Sequence, residues 1–171
     1  MILHPIPPIY RYDSKILILG SFPSVKSREV GFFYGHPRNR FWKILSAVLD
    51  APCPISVEEK KAMLINNCIA LWDVIASCKI TGSSDSAIKN VLPNDIPKIL
   101  RVSDIGLIIT NGKKASELYR KHLMPLTAIT DVCLPSTSPA NASFTLERLI
   151  YEWGNALSKS LSLPNLNRSY R

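Results

Sequence analysis

The sequence lacks most of the motifs that identify metal, nucleotide or acyl-transfer chemistry. None of its four cysteines forms a C-x-x-C pair, and no histidine stands at ligand spacing beside them. A zinc or iron–sulfur site is therefore not expected, and buried free thiols in a reducing compartment are the better interpretation. There is also no G-x-G-x-x-G, no G-x-x-x-x-G-K-[ST] and no G-x-S-x-G. Standard dinucleotide, P-loop and nucleophile-elbow sites are therefore not predicted.

Long apolar runs and a recognisable signal peptide are missing as well. No apolar run approaches the roughly 18–20 residues that a membrane helix needs. Prolines at positions 5, 7 and 8 interrupt the first residues, which excludes a signal peptide there. We expect a cytoplasmic protein without membrane contacts. The 171 residues fit one domain, residues 1–171, with an extended N-terminal segment (1–14) and a frayed tail (164–171).

The charge is unevenly distributed along the chain. The formal net charge is +8 and the isoelectric point is about 9.5. Half of this excess lies between residues 26 and 43, where five cations and one acid leave a local net charge of +4. Such a cluster is typical of a surface that binds a polyanion.

Short apolar runs alternate with segments of helical spacing. The runs predict strands over residues 15–21, 68–76, 104–112 and 128–136. Helices are predicted over residues 39–50, 56–67, 93–103, 113–123 and from Ser143 onward, and Ser56 with Glu59 forms a capping-box pattern. Strands separated by helices predict a three-layer α/β/α domain with a four-stranded parallel sheet.

Polar or glycine-containing segments lie at or near the carboxyl ends of all four predicted strands. They are residues 20–24, 72–73, 110–113 and 135–141. Parallel sheets bind ligands at the carboxyl ends of their strands, so topology predicts a site where these segments meet. Topology alone does not indicate which chemistry takes place there.

The stretch "GFFYGHPRNRFWKIL", residues 31–45, suggests that chemistry. It combines aromatic rings, cations and one carboxamide, Asn39, just before a helical stripe. Aromatic rings stack on planar heterocycles, a carboxamide offers both a donor and an acceptor, and arginine or lysine holds phosphates. Enzymes that act on a base in duplex DNA extrude it into a pocket of this kind.

Five segments of the sequence form a recognisable set: "ILILGSFPS" (16–24), "GHPRNRFWKIL" (35–45), "LWDV" (71–74), "TNGKKA" (110–115) and "LPSTSPANA" (134–142). In these segments the sequence resembles the uracil-DNA glycosylase superfamily, most closely its hypoxanthine (deoxyinosine) DNA glycosylase branch. The resemblance implies a four-stranded parallel sheet and hydrolysis of the N-glycosidic bond of a deaminated base in DNA. It also implies that no metal or organic cofactor takes part, and we expect a monomer.

The resemblance also implies roles for individual residues. Asn39 matches the catalytic carboxamide, and the base-binding candidates are Gly20, Ser21, Phe22, Tyr34 and Asp73. Mismatch-specific relatives carry a catalytic asparagine at the position of Phe22, so this chain departs from their pattern. The DNA-binding candidates are Ser24, Lys26, Arg38, Asn111, Lys113, Ser136, Ser138 and Asn141.

Structural interpretations compete with several of these roles. Asn39 precedes a helix and suits an N-cap, a role that is compatible with catalysis. Phe33 or Phe22 competes with Tyr34 as the stacking ring. Asp73 suits a turn cap as well as base recognition, and Ser138 with Asn141 suits a helix-entry turn as well as a DNA contact.

Three alternatives remain open for the function itself. The chain fits a uracil or mismatch-specific glycosylase, an enzyme of free nucleosides or nucleotides, or a nucleic-acid-binding module without activity. The charge between residues 26 and 43 argues against the free nucleoside. The sequence does not rank hypoxanthine, xanthine and uracil, and it leaves open whether Asn39 orients water or stabilises the departing base.

Overall fold

The computed structural model describes residues 1–79 and 88–161. The tail predicted to fray, residues 164–171, lies outside them. In chain order the elements are β1 (Ile2–Leu3), β2 (Ile16–Gly20), α1 (Val25–Val30), α2 (Phe41–Val48), α3 (Val57–Asn66), β3 (Ile69–Asp73), β4 (Ile75–Lys79), β5 (Lys89–Pro93), α4 (Ile96–Arg101), β6 (Leu107–Asn111), α5 (Lys113–His122), α6 (Met124–Thr127), β7 (Val132–Leu134) and α7 (Leu146–Leu161). No helix of the described residues is long and apolar enough to cross a bilayer.

The central sheet has four parallel strands in the order β3-β2-β6-β7. Successive side chains of β2 point to opposite faces, as the period of a strand requires. Ile16 and Ile18 belong to one apolar core, and Leu17 and Leu19 belong to the other. Both cores are covered by helices, which explains why β2 is apolar at every position rather than at alternate ones. The predicted three-layer fold is confirmed.

Helices α2, α3 and α7 cover the first of these cores. The apolar stripe of α2 is buried along its length, and Phe41 of α2 packs edge-on against Trp153 of α7. The predicted capping box opens α3: Ser56 Oγ accepts from the Glu59 backbone N–H at 3.1 Å, and the Glu59 carboxylate accepts from the Ser56 N–H at 3.2 Å. Leu118 and Tyr119 of α5 cover the opposite core.

The predicted strand over residues 68–76 is in fact two strands. β3 ends at Asp73, and β4 joins a separate antiparallel sheet of order β1-β4-β5. The buried amide of Asn94 stabilises the bend by donating to the carbonyl oxygens of Asp73 at 2.9 Å and Ile75 at 3.1 Å. Val74 and Ile75 are both fully buried, so the apolar pattern continues across the bend and does not reveal it.

The N-terminal segment is tied to the outer strand of the parallel sheet and to β4. The Ile9 and Leu71 backbones exchange hydrogen bonds of 2.9 and 2.8 Å, and the His4 N–H donates to the Ala76 carbonyl at 2.8 Å. The indole N–H of Trp72 donates to the Ile6 carbonyl at 3.2 Å. The segment therefore crosses the end of β3 beside Asp73.

The cysteines are free, but the prediction that they are buried is only partly right. Cys78 is buried, Cys68 is half-buried, and Cys53 and Cys133 are exposed. Cys133 lies in the short outer strand β7, where Val132 and Cys133 are both exposed. No group of three or more histidine, cysteine or acidic side chains suited to a metal ion occurs among residues 1–79 and 88–161.

A buried carboxylate joins β6, α5 and the start of β7. Asp131 Oδ2 accepts from the hydroxyls of Thr110 at 2.5 Å and Ser116 at 2.7 Å, and Oδ1 accepts from Arg120 Nε at 2.7 Å. Burial by itself would raise the pKa of Asp131, but these three donors outweigh it and lower the pKa below its ordinary value. The carboxylate thus stabilises the junction of three elements.

Asp131→Asn is expected to lower the free energy of unfolding at pH 7 by about 1–3 kcal/mol, because buried donors lose their charged acceptor. The folded-state pKa of Asp131 is lowered, so the stabilisation is fully present above the unfolded pKa of about 4. It is lost as the pH falls through the lower folded value. Urea unfolding at a series of pH values measures this. A wild-type-to-variant difference that stays constant into strong acid would contradict it.

Candidate active site

The ends of the parallel strands bring distant polar residues to one edge of the sheet. Gly20 at the end of β2 is the register partner of Asp73 at the end of β3. Asn111 at the end of β6 is the register partner of Leu134 at the end of β7. The segment after β7 and the segment before α2 join this edge through the hydrogen bonds described next.

Asn39 lies one residue before the N-cap of α2. Its Oδ1 accepts from the backbone N–H of Phe41 at 3.0 Å and from the hydroxyl of Thr137 at 2.9 Å. The first bond satisfies a free N–H at the helix start, so the structural role considered for Asn39 is present. Two donors meet the carbonyl oxygen, and no described residue accepts from Nδ2. The Nδ2 group of Asn39 is therefore available to donate a hydrogen bond to a bound molecule.

Thr137 sets this orientation, although no pattern in the sequence distinguishes it from its neighbours. It is fully buried, its hydroxyl accepts from Asn111 Nδ2 at 3.0 Å, and its N–H donates to Asn111 Oδ1 at 3.0 Å. Because the hydroxyl oxygen already accepts from Asn111, its proton points to Asn39. In "PSTSPAN" the threonine stands between two serines with the same hydrogen-bonding group, so only the fold distinguishes it.

Arg40 holds the loop of residues 135–141 against the start of α2. Its guanidinium donates to the carbonyl oxygens of Ser138 at 2.8 Å, Asn141 at 3.0 Å and Phe144 at 2.5 Å. Its backbone N–H donates to the Thr137 carbonyl at 3.1 Å. One of the cations counted in the local charge of +4 is therefore used to build the loop.

A second cluster forms where β2 and β3 end. A Cβ atom on Gly20 would lie 2.2 Å from Asp73 Oδ1 and 3.4 Å from the hydroxyl of Tyr34. Only glycine leaves room for the carboxylate at this position. Asp73 is buried, and its Oδ2 is 2.7 Å from His4 Nε2. His4 was not among the predicted site residues, since nothing in "MILHPIP" connects it with Asp73.

Tyr34 is backed by Phe41 and has unusual backbone geometry. Its φ is 53°, in the left-handed region that a bulky residue rarely adopts. The ring stacks on Phe41 with centroids 4.1 Å apart, so only its opposite face is available for a base. Its hydroxyl is buried and has no hydrogen-bond partner in the described part of the chain. Burial, and secondly the charge of Asp73, outweigh the opposing effect of the Asn111 side chain and raise the pKa of this hydroxyl, which stays protonated.

The two competing rings lie in the apolar cores. Phe33 is 2% exposed and Phe22 is 9% exposed. Phe22 meets the ring of His4 edge-on at 5.8 Å, and the guanidinium carbon of Arg28 lies 5.6 Å from its centroid. Phe22 therefore supports His4 from inside the fold. The neighbouring Ser21 is half-buried.

Most of the polar DNA-binding candidates use their side chains in hydrogen bonds that stabilise local structure. Ser24 is the N-cap of α1 and accepts from the Ser27 N–H at 3.1 Å. Ser136 Oγ accepts from the Ser138 N–H at 3.2 Å, and Asn141 Nδ2 donates to the Ser136 carbonyl at 2.9 Å. These bonds give the loop a fixed shape.

The cationic candidates are on the surface. Lys26 is exposed and pairs with Glu29 at 3.2 Å, so the structure does not gather it into either cluster. Arg38 and Lys113 are exposed and form no ion pair within residues 1–79 and 88–161. Lys113 begins α5 directly after Gly112. Gly112 has a φ of 96°, and a Cβ atom added to it would lie 3.0 Å from Ser136 Cβ, so both its backbone conformation and its surroundings require glycine.

The fold is that of a known enzyme class. The chain belongs to the uracil DNA glycosylase superfamily, whose family model matches residues 7–153, and the predicted resemblance is confirmed. It is similar to a protein of Methanosarcina acetivorans named hypoxanthine DNA glycosylase, with 37% identity over 150 residues that cover 86% of this chain and 94% of the relative. A protein of the same name from Methanosarcina barkeri is 34% identical over 137 residues, covering 79% and 85%.

A solved structure agrees with this relationship. The solution NMR structure of a candidate uracil DNA glycosylase from Methanosarcina acetivorans superposes with a TM-score of 0.80. It has 33% identity and covers 93% of this chain and 98% of the other. The likeness therefore extends to nearly the whole of both chains.

Thr137→Val is expected to free the Asn39 side chain, because valine keeps the shape of threonine but loses its hydroxyl. Thr137→Ser keeps the hydroxyl and is the matched control. Order parameters from ¹⁵N relaxation of the Asn39 side-chain amide should fall in the valine variant and stay near the wild-type value in the serine variant. An equally ordered amide in both variants would mean that the bond from Phe41 is sufficient by itself.

Proposed function

We propose that the chain is a monofunctional DNA glycosylase that hydrolyses the N-glycosidic bond of deaminated bases, hypoxanthine (deoxyinosine) first, in base excision repair. Membership of the superfamily and the names of the two relatives support this proposal. The observation that carries it is the amide of Asn39, fixed by Thr137 and by the start of α2 with Nδ2 left to donate.

Asp73 provides the basis for base selection in this proposal. A carboxylate only accepts hydrogen bonds, and the Watson–Crick edge of hypoxanthine presents an N1–H donor. Adenine presents an unprotonated N1 at the same place, so a carboxylate there repels the normal base. Xanthine and uracil also carry an N–H beside a carbonyl group, and a uracil or mismatch-specific glycosylase is therefore the alternative that Asp73 equally supports.

Catalysis in this proposal depends on stabilising the departing base. The sugar develops oxocarbenium character while the base takes up negative charge, so a donor aimed at the base accelerates the reaction. Two donors already meet Asn39 Oδ1, which leaves Nδ2 as the group that donates to the departing base. Backbone N–H groups of residues 20–24 would share the charge, and the open face of Tyr34 would stack on the base.

DNA is held, in this proposal, by the surface around the site. Arg38, Lys113 and Lys26 are exposed cations that suit phosphates. The loop of residues 136–141 would contact the duplex beside them. We infer that residues 1–171 act as one cytoplasmic domain and as a monomer, without metal or organic cofactor.

A panel of duplexes tests the proposal. Each duplex carries one hypoxanthine, xanthine, uracil or mismatched thymine, and alkali converts abasic sites to strand breaks. We expect hypoxanthine to be excised fastest and free inosine to remain intact. Borohydride should trap no covalent complex, since a monofunctional enzyme uses no lysine Schiff base. Absence of excision from every duplex, with binding retained, would replace this proposal with that of a non-catalytic module.

Two substitutions of Asn39 separate its possible roles. Asn39→Ala is expected to reduce single-turnover excision by about 10²–10³ while DNA affinity changes little. Asn39→Asp keeps an oxygen for Phe41 and Thr137 but loses the amide donor, so we expect it to be as inactive as the alanine variant. Quench-flow rates and fluorescence anisotropy measure the two effects.

A near wild-type rate for Asn39→Asp alone would assign Asn39 the orientation of water through its oxygen. Near wild-type rates for both variants would reduce it to a helix cap.

A further inference from the structure

We propose that His4 is a positioning residue for Asp73, so that the N-terminal segment completes the base-recognition site. The inference rests on the proposed function, since it gives Asp73 the task of reading the base. It adds a residue 69 positions away in the chain, which the residue types alone do not connect with the site.

The contact itself is short and sheltered from water. His4 Nε2 lies 2.7 Å from Asp73 Oδ2, and the two side chains are 3% and 5% exposed. His4 Nδ1 accepts from the backbone N–H of Ile6 at 3.2 Å. An Nδ1 that accepts carries no proton, so the ring proton is on Nε2 and is donated to the carboxylate. The tautomer thus follows from the second bond of the ring.

The surroundings prevent the imidazole from turning away. Its ring meets Phe22 at 5.8 Å and Trp72 at 6.2 Å, both edge-on, and lies 6.2 Å from Phe33. The backbone of His4 is bound to Ala76, and the indole of Trp72 is bound to the Ile6 carbonyl. The donor is therefore held from both its ring and its backbone.

The buried pair of His4 and Asp73 is a less favourable way to fill this space than apolar side chains. Burying a carboxylate is unfavourable unless donors compensate, and apolar side chains of similar volume usually stabilise a fold at least as well. The neighbouring chain also accommodates the pair, because Gly20 has no Cβ where Asp73 Oδ1 lies. The presence of a buried polar pair at the edge of the site, among aromatic rings, indicates a role beyond stability.

The geometry assigns different tasks to the two carboxylate oxygens. His4 engages Oδ2, while Oδ1 lies on the side of Gly20 and the Tyr34 hydroxyl. The donor fixes the rotation of the carboxyl group and so leaves Oδ1 directed to that side. A base with an N–H on its edge then finds an acceptor already in place, and a base with an unprotonated ring nitrogen does not.

A pair of substitutions tests the role of the donor. His4→Asn keeps an acceptor for the Ile6 N–H but loses the donor to Asp73, whereas His4→Gln places an amide N–H near the position of Nε2. Loss of a hydrogen bond to a charged group corresponds to about 10–100-fold, so we expect His4→Asn to lower single-turnover excision of hypoxanthine by this factor. His4→Gln should recover most of the loss.

A double-mutant cycle separates positioning from general destabilisation. In an Asp73→Ala background, which removes every acceptor for the His4 N–H at this position, His4→Asn is expected to cause no further loss of excision. Thermal unfolding of all variants shows whether they are folded at the assay temperature. Additive losses in the cycle, or equal rates for His4→Asn and His4→Gln, would overturn the inference. The proposed function would still stand if the wild type excised hypoxanthine.

A measurement without DNA addresses the pair directly. Long-range ¹H–¹⁵N spectra should show the Nε2–H tautomer of His4 in the wild type, with its signal moved in Asp73→Asn. An Nδ1–H tautomer would overturn the inference. If the wild type excised no deaminated base, the proposed function would fail, and the assignment of His4 to base recognition would fail with it even where the spectra showed the bond.

Discussion

The hydrogen bond from Thr137 to Asn39 is the contact on which the arrangement of the site depends. It joins the segment before α2 to the loop after β7, 98 residues apart, at the edge where the parallel strands end. Asn111 holds Thr137 from β6, and Arg40 holds the loop by its carbonyl groups. Uncharged hydrogen-bonding groups therefore fix the carboxamide of Asn39, and the neighbouring cation, Arg40, stabilises the loop.

The second cluster shows the same use of buried polar groups. Asp73 lies at the end of an apolar strand, where a carboxylate is tolerated because His4 donates to it and Gly20 leaves it space. Tyr34 combines a left-handed backbone with a buried hydroxyl that has no partner in the described chain. Unfavourable local features of this kind persist where the surrounding structure imposes them, and they concentrate at functional sites.

The extent of prediction from sequence differs between elements for physical reasons. β2 and α2 were predictable because a buried strand and a one-sided helix each leave a distinct apolar period. The bend after Asp73 was not, since Val74 and Ile75 are buried on both sides of it and Asn94, which stabilises it, is distant in sequence. Free cysteines were correctly expected, yet the exposure of Cys53 and Cys133 depends on where loops and the edge strand lie.

The sequence by itself determined the layers, the parallel sheet and the family, because the apolar period and the local motifs are properties of short segments. It also indicated Asn39, Asp73 and Tyr34 as site residues, since they lie within motifs of unusual composition. Only the tertiary structure decided that Thr137 and His4 accompany them, because hydrogen bonds across 98 and 69 residues leave no local pattern. It also decided which atom of Asn39 remains available, since that depends on donors from two other segments.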